Sequence, residues 1–236
     1  MNRSPSSRFC LYLTAFCFWS APLCTFAAVC TTAPVVTNTS DSGAGSLRDA
    51  IATACDSSTI TFSNSTSGGA TNFYDGTART ITLTSGVLLL TRNVTITGPG
   101  SDQLAISGND TSRIFFINPG APGATSGPPA TSINVDISGL ALVHGKAKGG
   151  NGESEICAGG AGGAAGMGGA IFVNNGALAL SGMTFNNNQA LGGTGGTSLS
   201  GTFCTSGGGG GGVGGNGSNG TGGGGGALGG VGGGPG

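Results

Sequence analysis

Charged residues are scarce in this sequence. They make up 7% of its 236 residues, whereas ordinary domains contain about 25%. Nine acidic and eight basic side chains give a formal net charge of −1. The chain therefore lacks the basic field that attracts nucleic acid and the polybasic patch that binds anionic lipid. We predict that nucleic acid is not a partner.

The residues that bind metals are equally few. His144 is the only histidine, and it lies far from any close pair of cysteines. A zinc site is the alternative use for the cysteines, but no C-x-x-C spacing occurs to support it. Glycine-rich calcium repeats need an aspartate in each repeat, and none follows Asp136. We predict no metal and no cofactor.

Glycine is abundant: it accounts for 52 of the 236 residues, whereas ordinary domains contain about 7% glycine. A chain with so little charge is either a hydrogen-bonded repeat structure or a glycine-rich polymer, and both occur here at different positions. The glycine-rich stretches are an insertion at 148–167 and a low-complexity region at 191–236. We interpret them as spacers or packed polyglycine-like loops, the second of them a loop or a truncated next coil.

Residues 1–27 have the pattern of a signal peptide. Arg3 and Arg8 precede an uncharged run at 9–26, and small residues at positions 25 and 27 precede a cut after residue 27. A retained membrane anchor is the alternative, but Pro22 interrupts the run and about 20 apolar residues are needed to span a bilayer. The sequence therefore predicts a secreted or cell-surface protein.

Removal of residues 1–27 leaves four cysteines, an even number in an oxidising compartment. These are Cys30, Cys55, Cys157 and Cys204. Four cysteines allow three pairings. We predict Cys30 with Cys55, which ties the first mature segment to a cap helix. We also predict Cys157 with Cys204, because both lie in glycine-rich insertions that leave the repeat at the same position.

Apolar and polar residues alternate between residues 59 and 117, which is the period of a β-strand. Residues 137–147 (ISGLALVHGKA) align with 180–190 (LSGMTFNNNQA), and residues 168–190 have the pattern of one coil of three short strands. Matching units of this size predict stacked coils. We therefore predict an all-β fold, a right-handed parallel β-helix (solenoid), with coils at 59–190. An immunoglobulin-like sandwich is the alternative, although its connections need longer turns.

Residues 28–58 are predicted to hold an N-terminal strand and a short capping helix. Ser46 is suited to the N-cap, with Asp49 three residues later, and Leu47 and Ile51 fall on one helical face. Such a helix would cover the first coil. In the coils themselves, we expect Leu142 and Phe185 to be buried in a stacked apolar column.

Two short motifs carry a resemblance to a known family. Gly168, Gly169, Ala170 and Ile171 match a GGA[ILV] signature, and the segment from Phe185 to Asn188 matches FxxN. Both are typical of the polymorphic outer membrane protein repeats, a group of bacterial surface and autotransporter-like β-helices. Residues 36–51 and the strands after them are similar to the opening of large secreted bacterial β-helix proteins.

This resemblance implies a secreted or cell-surface protein, often adhesive. The implied partners are host or cell-surface glycans or proteins, with contact to the outer membrane only through a part beyond these residues. It transfers no catalytic residue.

The alternative function is enzymatic, because some β-helix proteins are polysaccharide lyases or hydrolases. Such a site needs paired carboxylates or a carboxylate with a base. The candidate cluster is Asp136, His144, Lys146 and Lys148, which we interpret as a solvated face and turn. The sequence therefore predicts a structural or adhesin-like module without catalytic activity in this portion. The carbohydrate-active alternative would place its site in a missing C-terminal part.

Overall fold

A computed structural model of the chain describes residues 30–119, 132–156, 160–199, 207–208, 216 and 219–220. The signal peptide predicted at 1–27, and the predicted Cys157–Cys204 pair, lie outside these residues.

One α-helix and many short strands make up the described chain. Helix α1 spans Leu47–Thr53, and a short 3-10 turn spans Ser67–Gly69. The strands are β1 (Val35–Val36), β2 (Ser58–Phe62), β3 (Arg79–Thr82), β4 (Leu88–Leu90), β5 (Val94–Thr97), β6 (Leu104–Ser107), β7 (Phe115–Ile117), β8 (Asn134–Ser138), β9 (Ala141–Val143), β10 (Lys146–Lys148), β11 (Glu155–Ile156), β12 (Ile171–Val173), β13 (Ala177–Ser181), β14 (Thr184–Asn186), β15 (Gln189–Leu191), β16 (Ser198–Leu199), β17 (Gly207–Gly208) and β18 (Asn219–Gly220).

These strands form six small sheets within the described residues. Their orders are β1-β2-β5-β8-β13, β14-β9-β6-β3, β12-β7-β4, β10-β15, β11-β16 and β17-β18. Strands pair in parallel in the first five sheets, and β17 pairs with β18 in antiparallel fashion. In the repeat, Ile137 lies opposite Leu180 and Ala147 opposite Ala190, which is the register that the sequence alignment predicts.

The predicted fold class is wrong. The sequence indicated one all-β solenoid, a right-handed parallel β-helix, but the described strands are divided among separate small sheets, with a helix beside them. The architecture is a mixed, mostly parallel arrangement. The strands end at residues with left-handed backbone, such as Gly139 (φ 62°), His144 (φ 51°) and Asn187 (φ 53°). Because these turns reorient the backbone every few residues, the strands on either side of each turn belong to different sheets.

The core is formed by inward-facing residues that repeat along the sheets. Ile60, Ile96 and Ile137 lie opposite one another on β2, β5 and β8, and all three are buried. Leu180 continues this row on β13 but is 42% exposed. The same change occurs between β9 and β14, where Leu142 is fully buried and Phe185 is 48% exposed. The prediction that Phe185 is a core residue is therefore wrong, because β14 is the last strand of its sheet.

Helix α1 confirms the predicted capping helix. The Ser46 side chain accepts a hydrogen bond from the Asp49 amide (3.1 Å), and Leu47 and Ile51 are buried. The structure also joins Cys30 to Cys55 in a disulfide, with 4.9 Å between their Cα atoms, which confirms this predicted pair. The disulfide fixes the chain before β1 to the end of the helix.

Arg48 and Asp41 together hold the helix to the loop before β4. Arg48 Nη2 lies 2.7 Å from Asp41 Oδ1, and the same guanidinium donates to the carbonyls of Gly86 (2.7 Å) and Val87 (2.9 Å). The second carboxylate oxygen of Asp41 accepts from the Ser85 amide (2.7 Å). The helix, the loop that precedes it and the loop before β4 therefore meet around one ion pair.

The two glycine-rich stretches lie against each other, backbone to backbone. The Gly152 amide donates to the Thr194 carbonyl, and the Gly193 amide to the Ala164 carbonyl, both at 2.8 Å. A Cβ atom added to Gly163 would lie 2.2 Å from the Gly193 carbonyl oxygen. Such close approach is open only to glycine, because any Cβ would fill the space between the segments.

Candidate functional site

Two of the six described lysine and arginine residues form ion pairs, and a third donates to a carbonyl distant in sequence. Arg48 pairs with Asp41, and Arg79 Nη2 lies 2.7 Å from Asp75 Oδ2. Arg92 donates a hydrogen bond to the Ala54 carbonyl. These contacts are structural, because they fix turns and join segments of the chain.

The other three cations, Arg113, Lys146 and Lys148, form no ion pair with a described carboxylate. All three border one open hollow of about 200 Å³, which we call the basic hollow. Its lining residues are Val87, Thr111, Ser112, Arg113, Lys146, Ala147 and Lys148. No carboxylate and no histidine is among them, so the hollow has a positive charge of three from its own walls.

Strand β10 places the two lysines on one face. Side chains alternate along a strand, and Ala147 between them is buried against the core. The Lys146 amide donates to the Ser112 carbonyl (2.9 Å), which brings the segment containing Arg113 alongside β10. Gln189 lies opposite Lys146 on the neighbouring strand β15. The lysines therefore face solvent at the edge of a paired sheet.

Arg113 is held in a fixed orientation. Its Nη2 donates to the Met167 carbonyl (2.7 Å) and its Nε to the Gly168 carbonyl (2.9 Å). Its guanidinium lies over the rings of Phe172 (5.1 Å) and Phe116 (5.8 Å), which stack on each other. Burial lowers the pKa of Arg113, but an arginine stays charged in proteins. Its Nη1 has no hydrogen-bond partner in the described part of the chain.

Sequence analysis missed Arg113 as a site residue, and it also missed the hydroxyls of Thr111 and Ser112. Both hydroxyls donate to backbone carbonyls, Thr111 to Gly108 (3.2 Å) and Ser112 to Arg113 (2.8 Å). Their oxygens can still accept a hydrogen bond from a bound molecule. The hydrogen bond from the Lys146 amide to the Ser112 carbonyl joins positions 34 residues apart in the sequence, so no local pattern could have shown it.

The structure separates the four residues that the sequence grouped. Lys146 and Lys148 border the basic hollow, whereas Asp136 borders another hollow of about 300 Å³, with Ser57, Asn93, Val94, Thr95 and Asn134. The two hollows share no lining residue. His144 Nδ1 pairs with Asp110 Oδ2 at 3.2 Å, and both side chains are about half exposed. Asp136 therefore does not share a hollow with the lysines.

The residues of the repeat motif have structural positions. Gly168 has φ +60°, and a Cβ on Gly169 would lie 2.4 Å from the Gln189 carbonyl oxygen. Ala170 is buried and Ile171 packs partly against the core. The Asn188 amide group bridges two turns, because its Oδ1 accepts from the Gly145 amide (2.7 Å) and its Nδ2 donates to the Leu142 carbonyl (2.8 Å).

In the described ranges, no three His, Cys, Asp or Glu residues come close enough to hold a metal ion. No helix within the same ranges is long and apolar enough to cross a membrane. The chain matches no protein-family model, and it has no significant match among curated proteins or solved structures. With three cations in its lining, the basic hollow can attract and hold an anionic group.

Proposed function

We propose that this chain is a secreted or cell-surface module with a structural or adhesive role and without catalytic activity in this portion. The observation that carries the proposal is the Cys30–Cys55 disulfide. Structural disulfides persist in oxidising compartments and are rare in the cytosol. The signal-peptide pattern at 1–27 supports the same location independently.

The placement of the ionisable groups supports a role in binding. General acid–base catalysis needs a carboxylate or histidine within reach of a second catalytic group. Asp136 lies in a hollow without a second ionisable group in its lining, and the basic hollow contains cations alone. His144 and Asp110 form an exposed pair at a turn, which is a common surface arrangement.

The exposed surface supports an adhesive role. The last strands of the parallel sheets present large apolar side chains to solvent, and those over one-third exposed on these strands are Val173, Leu180, Phe185 and Leu191. Contiguous exposed apolar patches are typical of interaction surfaces. Because the chain has few charges, contact through these strands is not opposed by electrostatic repulsion.

Expression of the full chain in a Gram-negative bacterium tests the location. We expect the protein outside the cytoplasm, with Cys30 and Cys55 resistant to a maleimide reagent until a reductant is added. A chain without residues 1–27 is the control and should stay in the cytoplasm with both thiols reactive. The proposal would be overturned if the full chain also remained in the cytoplasm in reduced form.

A further inference from the structure

We propose that the basic hollow binds the carboxylate or sulfate groups of a linear anionic polysaccharide. This inference rests on the proposed function, because it names the partner class that an extracellular adhesive module would hold. The residues that carry it are Arg113, Lys146 and Lys148, with Thr111 and Ser112 beside them.

The distribution of charge in the chain favours an anionic ligand. The chain has a net charge of −1 and few ionised groups, yet three cations without a described carboxylate partner border a single hollow. Grouping like charges is unfavourable unless a counter-charge is present. The nearby Asp110 is engaged with His144. A bound anion is the group that this arrangement lacks.

The geometry of the cations also fits an anionic ligand. The carbonyls of Met167 and Gly168 and the two stacked rings fix the Arg113 guanidinium. Its Nη1 is left for a ligand, and a guanidinium group binds carboxylate and sulfate oxygens well. Lys146 and Lys148 add two charges on side chains whose Cα atoms are about 6.6 Å apart along β10. A polymer with repeated anionic groups supplies a counter-charge for each of these three cations.

The two hydroxyls favour a polysaccharide over DNA. The hydroxyls of Thr111 and Ser112 already donate to the chain, so they offer the ligand lone pairs. Sugar hydroxyls can donate to these oxygens, whereas the sugar-phosphate backbone of DNA has no donor within the strand. Nucleic-acid binding also draws on an extended basic surface, and the remaining described arginines are engaged within the fold.

Affinity electrophoresis of the full chain tests the proposal. The probes are polygalacturonate for carboxylates, dextran sulfate for sulfates, uncharged dextran, and polydeoxythymidine. We expect retardation by one or both anionic polysaccharides at low salt, and none by uncharged dextran. The pattern across polygalacturonate and dextran sulfate identifies which anionic group is preferred.

Variants connect this retardation to the hollow. The double variant Lys146→Gln/Lys148→Gln should weaken binding about tenfold, since each exposed ion pair contributes a few-fold. Lys146→Arg/Lys148→Arg keeps the charges and should retain most of the binding. Arg79→Gln is the matched control for the single variant Lys148→Gln. Each removes one positive charge, but Arg79 lies outside the hollow. Circular dichroism confirms that each variant folds.

Three outcomes would overturn the inference: no retardation by either anionic polysaccharide, equal retardation of the double glutamine variant and the unaltered chain, or equal or tighter binding of polydeoxythymidine. Each leaves the proposed extracellular location to its own test, since that test measures export and thiol state. A chain that is not exported but binds through the lysines would overturn the location and keep the site.

Discussion

Phe185 lies directly opposite Leu142 on neighbouring parallel strands, yet Leu142 is fully buried and Phe185 is 48% exposed. Side chains at matched positions of parallel strands point in the same direction. Their different burial therefore comes from what covers them. Leu142 lies between Phe185 and Ile106, whereas β14 ends its sheet and no described strand follows it.

This relationship gives a matched pair of substitutions. Leu142→Ala should lower the free energy of unfolding by about 2–5 kcal/mol, the usual cost of a cavity in a packed core. Phe185→Ala should cost less than about 1 kcal/mol, because half of its side chain is already in water. Urea denaturation of the two variants measures both values. Equal destabilisation would show that Phe185 is covered as deeply as Leu142.

Local features of the fold were predictable because short-range chemistry determines them. The Ser46 N-cap, the alternation around Ile60 and the register of Ile137 with Leu180 all follow from the residues themselves. The division into separate sheets was not predictable from the sequence, since it depends on left-handed turns at residues such as His144 and Asn187. The exposure of Phe185 depends on which strands follow it, and the alternation pattern has no information on this.

The Cys30–Cys55 disulfide should contribute to stability. It joins residues 25 positions apart, and closing a loop of this size stabilises by roughly 3 kcal/mol in the chain-entropy model. The variant Cys30→Ser/Cys55→Ser should therefore unfold at lower urea concentration than the oxidised protein. The control compares the unaltered protein and the variant after full reduction of both, which should unfold at the same urea concentration. Stability that does not respond to reduction would contradict this role.

The Asp41–Arg48 pair should make stability depend on acid pH. Burial raises the pKa of the Asp41 carboxyl, but hydrogen bonds from Ser85, Arg48 and Thr84 outweigh it and hold this pKa well below its usual range. A lowered folded-state pKa stabilises the protein above the unfolded value of about 3.9, and the contribution is lost as pH falls further. Stability should thus be unaffected by this group from pH 7 to 5 and decline below about pH 4.

The variant Asp41→Asn isolates this effect. Its side chain is 8% exposed, so loss of the charged hydrogen bonds should cost about 2 kcal/mol at pH 7. The difference from the unaltered protein should shrink as pH falls below about 4. Asp136→Asn is the control, because Asp136 is exposed and has no ion pair with a described residue. A pH-independent difference for Asp41→Asn would show that the carboxylate charge is not responsible.

Adjacent glycines in the first glycine-rich stretch should respond differently to alanine. A Cβ on Gly163 would lie 2.2 Å from the Gly193 carbonyl oxygen, whereas one on Gly162 meets no atom within 4 Å. Gly163→Ala should separate the two glycine-rich segments and speed amide hydrogen exchange at Gly193. Gly162→Ala should leave that exchange unchanged, and restricting the unfolded chain could add about 0.4–1 kcal/mol of stability. Identical behaviour of the two variants would show that the segments are not in contact.

The candidate site was only partly predictable. The two lysines were visible as neighbours on one strand face, but Arg113 comes from a segment 33 residues earlier and meets them through the hydrogen bond from Lys146 to Ser112. Asp136 is close to the lysines in sequence but lines a different hollow. Sequence proximity grouped Asp136 with the lysines and gave no sign of Arg113, because neighbouring strands belong to different sheets.

One measurement tests the proposed adhesion and the proposed absence of catalysis together. The full chain is applied to films of an anionic and of an uncharged polysaccharide, and the films are washed. The retained protein is then measured, together with the polymer length by size-exclusion chromatography. We expect protein to stay on the anionic film and the polymer to keep its length. Shortening of the polymer, or loss of all protein on washing, would contradict the proposed function.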